Sequence, residues 1–186
     1  FTYMSDNADS LSSCCRLKNE FTDNEFSFSL GAGGVSTGSK SVMSININRL
    51  AQKNTRENFI PSLREQVRKI HKYQIAYNEI ISDFIKAGMA PLFDEGFIAM
   101  NRQYLTIGIN GHVESAEYYG YKVGRNKEYL DYIAELLSVI KEENRIARTK
   151  TVMFNTEMIP AESVAVKFSK WDKEDGLFVP REVYSS

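Results

Sequence analysis

Cysteine is nearly missing from this chain: it occurs twice in 186 residues, at the neighbouring positions Cys14 and Cys15. That rules out a scaffold of spaced disulfides. A bridge usually needs α-carbons about 4.4–6.8 Å apart, and neighbours across a trans peptide are only about 3.8 Å apart. A bond between these two would be strained and easily reduced, so the pair points to a reducing, cytoplasmic setting. Excess charge is missing as well: 23 Lys and Arg against 24 Asp and Glu leave a formal net charge of -1. No polyanion-binding surface follows from that balance, and nucleic acid is not an expected partner. No apolar run reaches the roughly 18 residues needed to cross a bilayer, and the N-terminus has no signal-peptide layout, so no membrane partner is expected either. Histidine is limited to His71 and His112. Neither has a second His or Cys at ligand spacing, and two thiols cannot make a four-thiolate zinc site, so no metal is expected. Both histidines are expected at the surface or as satisfied side chains.

What is present is ordinary for a folded α/β chain. Apolar residues make up 42% and charged residues 25%, globular values that allow one hydrophobic core. A single domain over 1–186 is the expectation. The chain opens on Phe1 and stops at Ser186 without a tail, which suggests a piece of a longer polypeptide. The first 24 residues, polar and rich in Ser, Asp and Asn, read as loop around the cysteines. Residues 25–30 alternate polar and apolar and form a strand candidate. Residues 42–48 alternate again, with β-branched Val42, Ile45 and Ile47, and predict a second strand. The apolar series Ile60, Leu63, Val67, Ile70, Tyr73, Tyr77, Ile81 and Phe84 predicts a long helix, with Pro61 in its first turn and Gly88 at its end. Residues 104–109 read as a buried strand ending in the Asn110-Gly111 turn. A short helix over 113–119 follows. A second amphipathic helix carries Tyr129, Tyr132, Ile133, Leu136, Leu137 and Ile140 on one face. Thr151 to Phe154 forms a further strand, and Pro160-Ala161-Glu162-Ser163 opens a last helix. Strands separated by helices of this length imply parallel β-α units.

Three local patterns carry chemistry, each with a plainer reading beside it. In the glycine-rich stretch 31–38, Gly33 and Gly38 have P-loop spacing, but Ser39 intrudes before Lys40 and a strand follows where a P-loop needs a helix. A flexible hairpin connection explains it, as does a backbone that must approach a substrate where any side chain would collide. Pro160 to Ser163 places proline in a first helical turn, whose free N–H groups and dipole favour an anion. The plainer reading is a cap, with Asn155 or Thr156 ending the strand and Glu162 at the positive helix end. Cys14 and Cys15 lie between Ser13 and Arg16; a nearby guanidinium favours thiolate, which suits a reactive site better than an inert buried pair. Asp94-Glu95 reads as a solvated loop pair, and Lys141-Glu142-Glu143 as the wet face of a helix.

Together these blocks resemble the anaerobic, class III ribonucleoside-triphosphate reductases. The resemblance rests on Asp9 to Leu17 around the cysteines, Thr37 to Leu50 after the glycines, Leu105 to Glu114, and Asn155 to Lys167, in family order. It implies half of a ten-stranded α/β barrel of the glycyl-radical enzyme type, with a finger loop at about 9–24, a glycine-rich loop at 31–41 and β-α units over 42–172. Cys14 or Cys15 would become a thiyl radical that takes the 3′ hydrogen of a ribonucleoside triphosphate. Gly33, Gly34, Ser36 and Thr37 would line the approach to the ribose, and Pro160, Ala161, Glu162 and Ser163 would hold the phosphates. The family's glycyl-radical motif, four-cysteine metal site and allosteric cone have no counterpart in these residues. The resemblance therefore implies a glycyl radical supplied by a missing segment or partner chain, and an isolated segment that is inactive. Its implied partners are the rest of the reductase, encoded in one chain or as a split gene product, and a radical-SAM activating enzyme. Two alternatives stay open: a catalytically inactive half-barrel serving as a binding or assembly module, and another glycyl-radical enzyme acting on an acyl substrate.

Overall fold

The computed structural model describes residues 10–12, 18–20, 38–158 and 162–185. Two short antiparallel strands, β1 (Ser10–Ser12) and β2 (Lys18–Glu20), pair with Ser12 opposite Lys18. They replace part of what the polar composition predicts as continuous loop. The strand candidate at 25–30 lies outside the described residues, as do Cys14 and Cys15.

The body of the fold is a three-stranded parallel sheet in the order β3 (Gly38–Asn46), β4 (Gln103–Asn110), β5 (Met153–Met158). Parallel neighbours need crossover connections. The first crossover holds α1 (Ile47–Gln52), α2 (Arg56–Lys86) and α3 (Pro91–Asp94); the second holds α4 (His112–Tyr118) and α5 (Lys127–Ala147). A last helix, α6 (Glu162–Glu174), follows β5. This is an α/β chain with the strand directions and covering helices of a half-barrel.

The predicted second strand ends earlier than its alternation suggests. Asn46 breaks it, because its side-chain Oδ1 accepts from the Arg49 N–H at 2.9 Å and so caps α1. Ile47 and Asn48 are thus helical, and both are buried. A local side-chain bond to a free helical N–H overrides the two-residue apolar period. Pro61 lies not in the first turn of α2 but in its second. A proline there removes one helical N–H bond, and the helix carries it with Phe59 and Leu63, flanking it, fully buried.

Alternation along the strands divides the sheet into two faces. Ile45, Leu105, Ile107, Ile109 and Phe154 point to the helices and are buried. Phe59, Leu63, Val67 and Ile70 of α2 and Tyr132, Leu136 and Ile140 of α5 cover most of them. Tyr132 keeps its phenol satisfied by bonding Ser115 Oγ at 2.7 Å. The apolar stripe of α2 departs from expectation in its second half. Tyr73 is 58% and Phe84 51% exposed, with Tyr77 also exposed, because the helix has 31 residues, about 46 Å, and outruns the three strands below it. Gly88 adopts φ +69° just past the Ala87 cap, the left-handed turn-off expected of a helix end.

The acidic run on α5 also needs correction. Lys141 and Glu142 are exposed, but Glu143 is 2% exposed. It accepts from Arg64 Nη1 at 2.7 Å and from Arg68 Nε and Nη2 at 2.7 and 3.0 Å, tying α5 to α2. Those guanidiniums hold its carboxyl below the usual range against burial.

Candidate functional site

The carboxyl ends of parallel strands, where loops gather and helix N-termini begin, are where α/β folds place ligands. Here that edge is made by Asn46, Asn110 and Met158, the last residues of β3, β4 and β5. The α6 helix starts at Glu162, a few residues beyond β5, and Ser163 is exposed in its first turn. Of the anticipated phosphate group, Pro160 and Ala161 lie outside the described residues; Glu162 opens α6 and Ser163 follows it. The competing cap reading ended the strand at Asn155 or Thr156; β5 instead continues through both to Met158. Gly33, Gly34, Ser36 and Thr37 lie outside the described residues as well. After Gly38 the chain runs on as strand β3, so no helix follows the glycines as a P-loop requires. Lys40 sits at the irregularity in β3 and donates to the Met100 carbonyl at 2.9 Å, and burial lowers its pKa to about 8.

The sheet face turned away from the helices is polar. Register aligns Ser44 with Gly108 and Glu157, and Asn46 with Asn110. A row of hydrogen bonds crosses all three strands on this face. Ser39 Oγ lies 2.7 Å from Thr106 Oγ1, which donates to Asn155 Oδ1 at 2.6 Å; Asn155 Nδ2 then donates to Glu157 Oε1 at 3.1 Å. Burial raises the Glu157 pKa and the Asn155 bond opposes that. None of these four is among the site residues expected from the sequence. The available signal is the polar half of each strand's alternation, which marks a second face that a solvated or ligand-filled interior must cover.

Beside this face, at the strand ends, stands a buried polar knot. Asp172 of α6 is fully buried and accepts from Asn46 Nδ2 at 3.0 Å, Arg49 Nε at 2.6 Å and Tyr184 Oη at 2.7 Å. Asn48 Nδ2 lies 2.7 Å from Tyr184 Oη. The final segment is laced to β4 and α4: the Gly111 N–H donates to the Ser185 carbonyl at 2.9 Å, and the Ser185 N–H to Glu114 Oε1 at 2.9 Å. Gly111 has φ +78°, and a Cβ there would lie 3.2 Å from Asn48 and Tyr184 atoms, so glycine is what lets these segments close.

Both histidines are buried rather than at the surface. His71 donates from Nε2 to Asn144 Oδ1 at 2.8 Å, and Asn144 Nδ2 donates to Thr156 Oγ1 at 2.9 Å. His112 is buried at the start of α4, and its Nδ1 has no hydrogen-bond partner among the described residues. Asp94 and Glu95 are exposed as expected, but Asp94 is the last residue of α3 and Glu95 its cap instead of a loop pair. Among the described residues no group of three or more His, Cys, Asp or Glu could hold a metal ion, and no helix is long and apolar enough to cross a membrane.

Comparison with known proteins places this architecture. The family model described as anaerobic ribonucleoside-triphosphate reductase matches residues 1–186. A crystal structure of the anaerobic ribonucleotide reductase from Thermotoga maritima, in complex with dATP and CTP, is 33% identical at a TM-score of 0.76, over 81% of this chain and 27% of that one. A second structure of the Thermotoga maritima enzyme, with citrate in the active site, matches with the same identity and TM-score over 81% of this chain and 30% of that one. No curated protein sequence matches. This chain spans about a third or less of the solved structures it resembles, and it belongs to the anaerobic ribonucleoside-triphosphate reductase family.

Proposed function

We propose that this chain is the finger-loop and second half-barrel segment of an anaerobic ribonucleotide reductase, acting on ribonucleoside triphosphates through a thiyl radical on Cys14 or Cys15. The observation that carries the reading is the reach of the family match. It covers residues 1–186 and so takes in both the cysteine pair and the β5–α6 junction. The related Thermotoga maritima structure holds dATP and CTP, and nucleotides are the ligand class that a helix N-terminus at a strand edge suits.

The parts divide the work by chemistry. The N–H groups opening α6, with Ser163 beside them, hold the triphosphate without a mobile counter-charge. The glycine stretch around Gly33, Gly34, Ser36 and Thr37 lets backbone pass close to the ribose. One cysteine, as a thiyl, takes the hydrogen atom from C3′ and becomes a thiol. The 2′-hydroxyl then leaves with a proton as water, and an external reductant, formate or a small thiol protein, supplies two electrons. A glycyl radical in another part of the assembled enzyme supplies the oxidising equivalent that makes the thiyl. The chain covers 27% of the Thermotoga maritima chain, and by itself the segment is inactive. A radical-SAM activating enzyme and the rest of the reductase are its partners.

The test is deoxynucleotide formation by the reconstituted holoenzyme carrying Cys14→Ala or Cys15→Ala. One variant is expected to lose turnover to background while still retaining nucleoside triphosphate. Full turnover in both single variants and in the double variant would end the reading.

A further inference from the structure

Resting on the function just proposed, we infer that Glu157 receives a hydroxyl of the substrate's sugar, and that Ser39, Thr106 and Asn155 form a relay that positions it. Thr106 has a single hydroxyl proton and gives it to Asn155 Oδ1. Ser39 Oγ has one proton and two acceptors within reach, Thr106 Oγ1 at 2.7 Å and the Ser41 carbonyl at 3.0 Å, so the directed part of the relay runs from Thr106 through Asn155. With its oxygen committed, Asn155 turns its NH2 toward Glu157 Oε1. The opposite amide orientation would set an oxygen against the carboxylate. Each link fixes the rotamer of the next, and the anchor is fully buried, since Thr106 is 0% exposed.

Only one carboxylate oxygen is used by this relay; Glu157 Oε2 has no hydrogen-bond partner among the described residues. Across the sheet its register partner is Gly108, so β4 places no side chain beside the carboxylate. The positions of β3 and β4 that share this face are Val42, Ser44, Asn46, Tyr104, Thr106, Gly108 and Asn110. None of them is charged, and Tyr104 is the one titratable group, near the far end of the strand. Lys141 and Arg145 of α5 and Arg148 just past its end line a groove with Phe154, Thr156 and Met158 of the opposite face of β5, and Asn155 borders that groove too. An acceptor held this way, with no cation or second carboxylate at the facing β3 and β4 positions among the described residues, suits a neutral hydroxyl donor and not a phosphate.

The experiment uses the reassembled full-length reductase carrying Glu157→Gln, Thr106→Val or Thr106→Ser, with the Cys14 and Cys15 variants alongside. Glu157→Gln is expected to lower deoxynucleotide formation by about 100-fold while retaining triphosphate. Thr106→Val is expected to cost roughly tenfold through misplacement. It should also move the acid limb of the kcat/KM profile to higher pH, because Glu157 loses the amide bond that opposes the upward pull of burial. Thr106→Ser keeps the hydroxyl and should restore both rate and profile; equal losses in the Val and Ser variants would show packing alone and overturn the relay. Parental rates and pH profiles in Glu157→Gln and Thr106→Val, with the cysteine variants dead, would overturn this inference and leave the radical reading standing. Parental rates in the cysteine variants as well would remove both.

Discussion

At the scale of single residues, Asp172 shows how a buried charge is tolerated here. Its two oxygens receive donors from β3, α1 and the final segment through Asn46, Arg49 and Tyr184. Burying a carboxylate is expensive unless its lone pairs are filled. Removing it leaves Arg49, whose side chain is 28% exposed, with only its second carboxylate partner, Asp175 at 2.7 Å, and takes the acceptor from Asn46 and the Tyr184 phenol. Asp172→Ala is expected to destabilise by roughly 3 kcal/mol, read as a lower denaturant midpoint with an unchanged slope. The same reasoning explains why Asn46 matters beyond its cap. One side chain ends β3, starts α1 and donates to Asp172.

At the scale of elements, α2 is one helix with two fates. Its first half packs on the sheet through Phe59, Leu63 and Val67, all fully buried, and its second half leaves Tyr73, Tyr77 and Phe84 exposed. Phe59→Ala should cost about 3–5 kcal/mol, because it opens a cavity beneath Tyr119 and Tyr132, whose rings contact it. Phe84→Ala should stay within about 0.5 kcal/mol. Denaturant unfolding of the two variants checks this. A comparable loss at Phe84 would mean that the second half of α2 is covered in solution.

At the scale of the whole molecule, buried titratable groups set a stability window in pH. Burial lowers the pKa of His71 and His112 from 6.5. Below that value the unfolded chain binds more protons than the native one, so stability falls as pH drops. On the alkaline side burial raises Tyr119 from 10.0 to about 12, and Tyr132 and Tyr184 higher still. The unfolded chain gives up those phenol protons first, so stability falls as pH rises past the ordinary tyrosine value. Lys40, lowered from 10.5 to about 8, acts in the opposite sense between those two values. The steep alkaline loss therefore belongs above 10.5. Denaturant midpoints measured from about pH 5 to about pH 12 should trace a plateau with both shoulders; a flat profile would contradict the burial of these groups.

Much of the fold was legible in the residues alone, because apolar periodicity reports burial and glycine reports turns wherever neighbours in sequence decide the outcome. The long helix, the strand at 104–109 and the Asn110-Gly111 turn follow from such local rules. The ordered blocks around Cys14, Gly38, Ile109 and Pro160 pointed to the family by resemblance, which local rules do not supply. Tertiary structure alone decided what depends on contacts between distant segments. Glu143 is buried because Arg64 and Arg68, far away in sequence, reach it, and the stripe of α2 outruns the sheet because the strands are short. Ser39, Thr106, Asn155 and Glu157 become one row only when three strands lie in parallel register, and no spacing along a single chain encodes that register.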